Sequence, residues 1–251
     1  MCGRFTLTST PDDVGRYFSM NVTDNFPPRY NIAPTQPIAI IRTAEVFVPS
    51  PPPLYQLVRW GLIPSWSGRA NVDFSGNPLI NARSETVLKK VSFRDSFRRR
   101  RCLVPANGFY EWQTRGDQKQ PYYCRPKDGG LFAFAAIWDT VLHSSGAEMD
   151  SAAILTTNAG PSMSRLHRRE PVVISADNFS DWLGTHESDA QSLLPLLRAQ
   201  DNRFWECAPV SRDVGNVRND RPDLIQPVGE AEDQGKQVDS AGGEPAQGQL
   251  F

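Results

Sequence analysis

Short apolar segments recur along the chain and alternate with turn-forming residues, which is typical of β-strands. The spacing between them is irregular, and no internal repeat is visible. The predicted strands are residues 38–41, 57–60, 102–104, 122–124, 131–137, 152–156, 172–174 and 206–210.

Helical patterns are fewer. The run Ser9-Thr10-Pro11-Asp12-Asp13 combines a hydroxyl cap, a proline in the first turn and two acids, and it predicts a helix to about residue 18. Helices are inserted among the strands rather than alternating with them, so the predicted class is α+β, with a mostly antiparallel curled sheet or β-barrel-like core and peripheral helices. The other predicted helices are residues 85–90, 92–99, 176–183 and 188–198, the last interrupted by Pro195.

The composition changes near the carboxyl end. Residues 229–248 are acidic, rich in Gly, Gln and Ala, and lack aromatic side chains, which is typical of disorder. The predicted organisation is one domain over residues 1–228, a disordered acidic linker over 229–246 and a terminal peptide over 247–251. That peptide ends in Leu-Phe, an apolar pair that gains nothing at a free end unless something binds it.

Charge follows the same division. The whole chain has a net charge of −1. Residues 229–251 hold five acids and one lysine, so the rest of the chain carries 23 acidic and 26 basic side chains. Local basic clusters at residues 98–101 and 165–169 suit phosphate binding, although a solvated helix face is an equally good interpretation of the first.

Several classes of protein are disfavoured. No segment approaches the ~20 apolar residues of a membrane span, and the amino end lacks a signal-peptide pattern. The four cysteines show neither CxxC pairing nor the spacing of metal ligands. The sequence therefore predicts a cytoplasmic protein without a membrane segment, a metal or another cofactor.

The start Met1-Cys2 carries the most distinctive chemistry. Removal of Met1 would leave a free amine and a thiol on adjacent carbons. An amine condenses with an aldehyde to a reversible Schiff base, and the neighbouring thiol can close that imine to a stable five-membered thiazolidine. Such a terminus is an aldehyde trap. The plain alternative is a small second residue of no consequence.

Other candidate residues lie in four separate segments. Asn81 and Arg83 alternate, which puts them on one face of a strand, or they belong to a helix cap. Glu111 lies among aromatics, where its protonated form is favoured, or on an exposed strand face. His167 lies between a turn and a strand among arginines, or is structural. Trp66 is a candidate platform for stacking on a base, whereas Trp60 is assigned to the core.

Together these segments resemble the SRAP family, the SOS-response-associated peptidase proteins that shield abasic sites in single-stranded DNA. The match runs in the family's order through nearly all of residues 1–228. The resembling segments are MCGRF at the start, RYNIAPTQ at 29–36, WGLIPSW at 60–66, INARSET at 80–86, RCLVPANGFYEW at 101–112, LHRREPVVI at 166–174 and VSRDVGNVRND at 210–220.

The resemblance implies a site and a reaction. Cys2 would form a thiazolidine with the ring-opened abasic sugar, a covalent crosslink that protects the strand from cleavage and that reverses slowly. Asn81 would orient the amino terminus and the sugar. Glu111 would shuttle protons, and His167 would stabilise the opened sugar or assist that transfer.

The resemblance also implies how DNA is held. Arg4, Arg83 and Arg169 would hold phosphates beside the lesion, and Trp66 would stack near it. Some bacterial members have a second tryptophan where this chain has Ser67, so the stacking contact there is expected to be weaker. The protein would act as a monomer at the replication fork.

The terminal peptide resembles the QxxLF-type motif by which bacterial replication proteins dock on the sliding clamp. Gln247 would make polar contacts, and Leu250 and Phe251 would fill an apolar groove. An inert tail is the alternative.

Two further functions stay open. One is an N-terminal-cysteine peptidase or thiol hydrolase, with His167 as base and Glu111 orienting it, whose minimal activity is removal of Met1. The other is a non-covalent single-stranded DNA-binding protein in which Cys2 is incidental.

Overall fold

The computed structural model describes residues 2–44, 52–70, 78–142, 146–184 and 190–229. Within them, strands outnumber helices, and most strands are antiparallel. The strands are β1 (Phe5–Leu7), β2 (Arg29–Ile32), β3 (Pro37–Thr43), β4 (Pro53–Trp60), β5 (Asn81–Arg83), β6 (Arg101–Ala106), β7 (Gly108–Arg115), β8 (Gln118–Pro126), β9 (Phe132–Leu142), β10 (Glu148–Asn158), β11 (Arg169–Pro171), β12 (Val173–Ile174) and β13 (Trp205–Pro209). The α-helices are α1 (Pro11–Tyr17), α2 (Arg94–Arg99), α3 (Pro161–Ser164) and α4 (Phe179–Leu183).

A closed barrel forms the centre of the molecule. Its strands follow the order β10-β4-β3-β6-β9, and β9 pairs back onto β10, so that the barrel closes. The short strand β5 pairs in parallel with β10 just beyond the point where β4 ends. Strand β11 continues the sheet on β10, and β12 pairs with β9. The predicted α+β class with a β-barrel-like core is confirmed.

A second, antiparallel sheet carries the amino terminus. Its order is β13-β8-β7-β1-β2, so β1 lies between β7 and β2. Phe5 of β1 is opposite Phe109 of β7, and its ring packs edge-on against Trp60 and Phe134 of the barrel. One apolar core therefore joins the two sheets, and Trp60 is fully buried in it, as the sequence predicted.

The helix predictions are confirmed only in part. Helix α1 begins after Thr10, which forms a capping box with Asp13, as predicted. Helices α2 and α4 confirm two others in shorter form. The prediction over 85–90 is wrong, because the chain makes a 3₁₀ turn over Ser84–Thr86 followed by turns. That over 188–198 is wrong where it can be checked, since residues 190–198 contain only turns and the 3₁₀ segment Leu194–Leu196.

The cysteines depart from expectation. Cys124 of β8 lies opposite Cys207 of β13, and the two form a disulfide between neighbouring strands. Sequence spacing gave no sign of this pair, because 83 positions separate them and the contact arises from sheet register. Cys2 and Cys102 are the free, buried cysteines of the described chain. No helix in the described ranges is long and apolar enough to span a membrane.

Candidate functional site

The register of the second sheet brings Cys2 to Glu111. Phe5 pairs with Phe109 and Thr6 with Gly108, and the amide of Tyr110 donates to the carbonyl of Arg4 at 2.9 Å. Continued toward the amino end, this antiparallel register carries residue 2 alongside the stretch of β7 that contains Glu111. Cys2 is fully buried and Glu111 is 2% exposed, and the two side chains interact electrostatically, so a thiol and a carboxyl group lie near each other away from bulk water.

This environment controls the state of the thiol. Burial raises the pKa of Cys2 well above its ordinary value, and the negative charge of Glu111 raises it further. The amide of Arg4 donates a hydrogen bond to the sulfur and opposes that shift in part. The Cys2 thiol is therefore protonated at neutral pH, with a carboxyl group nearby that can exchange protons with it.

Asn81 reaches the same place from the barrel. Its Nδ2 donates to the backbone carbonyl of Cys2 at 2.8 Å. Strand β5 sets this position, because Asn81 pairs with Ile154 of β10. Asn81 Oδ1 is buried and accepts no hydrogen bond from the described residues, so an acceptor remains available beside the amino end. Segments around residues 2, 81 and 111 thus converge, as the resemblance implied.

His167 lies on a turn between α3 and β11. Its amide donates to the carbonyl of Met163 at 3.0 Å. Its ring Nδ1 lies 3.0 Å from the amide nitrogen and 3.2 Å from the carbonyl oxygen of Arg169, so the tautomer decides which of the two it bonds. Gln113 of β7 donates from its side chain to the carbonyl of Arg165 at 3.0 Å. Because Gln113 and Glu111 point to the same face of β7, this bond holds the His167 turn against the face that carries Glu111.

Arg169 is bound by the protein itself. Its guanidinium donates to both carboxylate oxygens of Glu85, at 2.7 and 3.0 Å, and also to Asn158 Oδ1 at 2.9 Å. Its side chain is 8% exposed. The predicted phosphate contact of Arg169 stays a prediction, and the structure adds an ion pair that the sequence analysis did not find.

Arg4 also has protein partners. Its Nη1 donates to Asn31 Oδ1 at 2.8 Å and to the carbonyl of Val214 at 2.7 Å. Asn31 is fully buried and donates in turn to the carbonyls of Val214, Asn216 and Asn219. Burial lowers the pKa of the Arg4 guanidinium. Arg4 therefore fastens the segment after β13 to the sheet that carries Cys2.

Arg83 and Trp66 face solvent. Arg83 ends β5, and its side chain is exposed, with no hydrogen bond or ion pair to any residue that the structure describes. Trp66 is 56% exposed in the 3₁₀ turn Ser65–Ala70. The turn is anchored where the amide of Ser65 donates to Asp139 Oδ2 at 2.8 Å. This hydrogen bond involves neither Cys2 nor Glu111.

Sequence reasoning missed three polar residues that shape this region. Glu85 and Asn31 lie inside segments that carry the family resemblance, yet neither received a role. Glu170 is fully buried and accepts from the amides of Gly160 and Gln200 at 2.9 and 2.7 Å, which fixes the start of α3. Burial raises its pKa. For two of them the available signal was a carboxylate close to a candidate residue: Glu85 lies two positions after Arg83, and Glu170 follows Arg169 directly.

Some predictions fall outside the described residues. Gln247, Leu250 and Phe251 lie there, as do the linker from residue 230 onward and Met1. Within the described ranges, no group of three His, Cys, Asp or Glu side chains is arranged to hold a metal ion.

Comparisons with known proteins identify the family of this chain. Residues 1–217 match the family model described as SOS response associated peptidase (SRAP). The chain is 35% identical over 230 residues to the abasic site processing protein YoqW of Bacillus subtilis (strain 168), covering 90% of this chain and 99% of that protein. It is 31% identical over 237 residues to the abasic site processing protein YedK of Escherichia coli (strain K12), covering 91% and 100%.

The fold has known neighbours as well. A crystal structure of a protein from Bacteroides thetaiotaomicron superposes with a TM-score of 0.74 at 24% identity, covering 90% of this chain and all of that one. The family model matches in one piece, and the relatives match almost end to end. The chain therefore belongs to the SOS response associated peptidase family.

Proposed function

We propose that this protein processes abasic sites by binding single-stranded DNA and trapping the lesion covalently on Cys2 after Met1 has been removed. The observation that carries this proposal is the meeting of Cys2, Asn81 and Glu111 in one buried place, from segments far apart in sequence. Relatives of this chain that bear the name abasic site processing protein support it.

The reaction joins an aldehyde to an amino-thiol with loss of water. The α-amine of Cys2 attacks C1′ of the ring-opened sugar, and the carbinolamine expels the former carbonyl oxygen as water. The thiol then adds to the imine carbon, so C1′ ends bonded to both nitrogen and sulfur. Since no open imine remains, elimination of the 3′ phosphate is avoided and the strand is kept intact.

The state of the Cys2 thiol favours this order of steps. A buried thiol with a raised pKa is a poor first nucleophile, because the thiolate is the reactive form. The amine attacks first, and the cationic imine that follows favours loss of the thiol proton. Glu111 is the proposed acceptor of that proton and the donor that assists departure of water. Release would run the same transfers in reverse.

The remaining residues supply binding and orientation in this proposal. Asn81 holds the backbone carbonyl of Cys2, and its Oδ1 is available to a second donor. His167 stabilises the opened sugar. Arg83 and Trp66 are exposed for a phosphate and a base, respectively.

The raised thiol pKa weighs against general thiol hydrolysis. Cysteine hydrolases use a thiolate stabilised by nearby positive charge, whereas burial, followed by the negative charge of Glu111, raises the pKa of the Cys2 thiol. Peptidase activity beyond removal of Met1 is therefore the second candidate, supported by the family description alone.

The test is adduct formation with single-stranded DNA bearing one abasic site, measured on a denaturing gel without a reducing agent. The wild-type protein is expected to give a stable adduct and Cys2→Ala none. Cys102→Ala is the matched control, because Cys102 is equally buried and free, and it should react as wild type does. Glu111→Gln should react about 10²-fold more slowly.

Three results would count against the proposal. They are a full-yield adduct from Cys2→Ala, salt-sensitive binding without any adduct, and turnover of peptide substrates by protein that ignores the lesion. The mass of the amino-terminal peptide should show Cys2 as the first residue, because retained Met1 would block the amine.

The terminal peptide carries a separate proposal from sequence alone: residues 247–251 bind the replication sliding clamp through Gln247, Leu250 and Phe251. Deletion of Leu250 and Phe251 from the full chain should reduce binding to a purified bacterial clamp at least tenfold. Deletion of Gly242 and Gly243, which shortens the tail equally, should leave binding unchanged. Equal binding by both deletion variants would refute this proposal.

A further inference from the structure

The turn and the short helix that follow β5 hold a dense group of positive charges. Residues 86–100 contain a single acid, Asp95, and six basic side chains, which are Lys89, Lys90, Arg94, Arg98, Arg99 and Arg100. All of these basic side chains are at least partly exposed to solvent. Residues 89–99 are called the basic segment below.

The backbone of the basic segment is fixed to the core. Val87 and Phe97, on either side of its first half, are fully buried. The amides of Lys89 and Lys90 both donate to the carbonyl of Thr86 at 2.9 Å. Positive charges on a fixed backbone lose less conformational freedom when they bind a polyanion than charges on a loose tail do.

The protein uses some of these cations and leaves others uncommitted. Arg101, the last residue of the arginine run, is buried and donates to the carbonyl of Trp182 at 2.7 Å, so it is structural. The side chains of Lys89, Lys90 and Arg98 make no hydrogen bond or ion pair with any residue that the structure describes. These three cations therefore keep their capacity to bind a ligand.

Both ends of this stretch lie beside residues that we propose to contact DNA. At its start, Arg83 ends β5 and is exposed. At its other end, Arg100 donates to Asp139 Oδ1 at 2.7 Å, and Asp139 Oδ2 accepts from the amide of Ser65 at 2.8 Å. Asp139 thus ties the end of α2 to the turn that carries Trp66. The basic segment therefore runs from one exposed candidate contact to the neighbourhood of the other.

We propose that the basic segment binds backbone phosphates of the single strand that flanks the lesion, so that phosphate contacts continue from Arg83 through Lys89 and Lys90 toward α2. A strand held at one nucleotide passes over the neighbouring protein surface, and a groove lined by cations tracks its backbone. Asp95 is the one acid that opposes this attraction within the segment. That the ligand is single-stranded DNA rests on the proposed function.

The test is equilibrium binding of the full chain to single-stranded DNA with one unreactive tetrahydrofuran site, over a range of salt concentrations. The double variant Lys89→Gln/Lys90→Gln removes two exposed charges and leaves the buried anchors in place. If each lysine neutralises one phosphate, the slope of log affinity against log salt should become shallower by about 1.4. Affinity at about 50 mM salt should fall at least tenfold. An unchanged slope would overturn the proposal.

Lys127→Gln/Arg203→Gln is the matched control, because it changes the net charge by the same amount. Both side chains are exposed at the end of the second sheet where the amide of Lys127 donates to the carbonyl of Phe204 at 2.8 Å. This variant should keep the wild-type slope. Equal shallowing in the two double variants would mean that net charge governs binding, which would contradict a local role of the basic segment.

Shortened strands show where the bound phosphates lie. The loss in Lys89→Gln/Lys90→Gln is expected on a strand with about ten nucleotides on one side of the lesion, and it should disappear on a trinucleotide centred on the tetrahydrofuran site. An equal loss on the trinucleotide would place the effect at the lesion and refute flank binding. A loss seen only with a double-stranded flank would replace the single strand by a duplex and overturn the proposal.

Failure of the proposed function is recognised separately, because these affinities do not depend on the crosslink. A wild-type protein that forms no adduct with an abasic site would refute the covalent reaction and leave the salt slopes to decide on the basic segment. An adduct from a wild-type protein whose slope equals that of Lys89→Gln/Lys90→Gln would refute the role of the basic segment alone.

Discussion

The four residues predicted to contact DNA divide into two pairs with opposite surroundings. Arg169 is buried and Arg4 is half-buried, and the guanidinium groups of both donate to backbone carbonyls and to the side chains of Asn31 or Glu85. Arg83 and Trp66 stand in solvent. All four were selected by the same reasoning, from residue type and family resemblance.

The difference shows that the charge of an arginine does not by itself decide how available the side chain is to a phosphate. A guanidinium that leaves water must replace its hydration with fixed acceptors, and once those are in place it holds structure together. An exposed arginine pays nothing to stay hydrated and can exchange water for phosphate oxygens. Arg4 and Arg169 therefore help to shape the site, whereas Arg83 and Trp66 are open to a ligand from solvent.

The largest effect is expected when the ion pair between Arg169 and Glu85 is broken. Arg169→Met removes the contacts to Glu85, Asn158 and Thr156 and leaves Glu85 without its counter-charge. The free energy of unfolding should fall by about 2–3 kcal/mol, below the value for a fully buried pair because Glu85 remains partly hydrated. Urea denaturation followed by tryptophan fluorescence measures this change.

Arg83→Met is the matched control for that variant, since it removes the same charge from the exposed pair. Its unfolding free energy should stay within about 0.5 kcal/mol of wild type. If the two variants unfold at the same urea concentration, the division into structural and available arginines is wrong.

Trp66→Ala should produce the next largest effect, on binding rather than on stability. Loss of one stacking platform should weaken affinity for a tetrahydrofuran-containing single strand by about 1–2 kcal/mol. Fluorescence anisotropy measures the affinity. Another tryptophan, Trp112, is unsuitable as a control site because it packs against Tyr110 and its neighbours. Leu142→Ala, another exposed apolar residue, is expected to leave affinity unchanged.

Local signals were the part of the fold that the sequence could predict. Helix α1 was found because its cap, proline and acids act on adjacent residues, whereas residues 85–90 look helical in composition yet turn away after β5. The pairing of β5 and β11 with β10 depends on contacts between distant segments, and no period in the sequence encodes it.

The site shows the same limit. Cys2 was found from the chemistry of an amino-terminal thiol, and Glu111 from a carboxylate among aromatics. The ion pair between Glu85 and Arg169 spans 84 positions, and the disulfide between Cys124 and Cys207 spans 83, so neither could be read from spacing. Partner identity is fixed by topology, and the sequence reveals only which groups need partners.

Arg83→Ala tests whether the exposed arginine contacts DNA, through the salt dependence of the affinity for single-stranded DNA. If Arg83 contacts one phosphate, the slope of log affinity against log salt should become shallower by about 0.7 for a single strand. Binding isotherms from 50 to about 300 mM salt measure the slope. Arg125→Ala removes an exposed arginine that is paired with Glu206 and should leave the slope unchanged. Identical slopes for Arg83→Ala and wild type would remove Arg83 from the DNA path.

The smallest expected effect is the change of stability with acid pH, which tests the ion pair between Glu85 and Arg169 alone. Because the folded-state pKa of Glu85 lies below its ordinary value near 4.3, its ion pair stabilises the protein above that pH and is lost as pH falls through the folded value. The difference in Tm between wild type and Glu85→Gln should therefore be constant from pH 7 to about 5 and shrink below about pH 4. Differential scanning fluorimetry across this range measures it. A difference that persists at pH 3 would mean that the Glu85 side chain stabilises by shape alone, and the contrast between the two pairs would then owe nothing to charge.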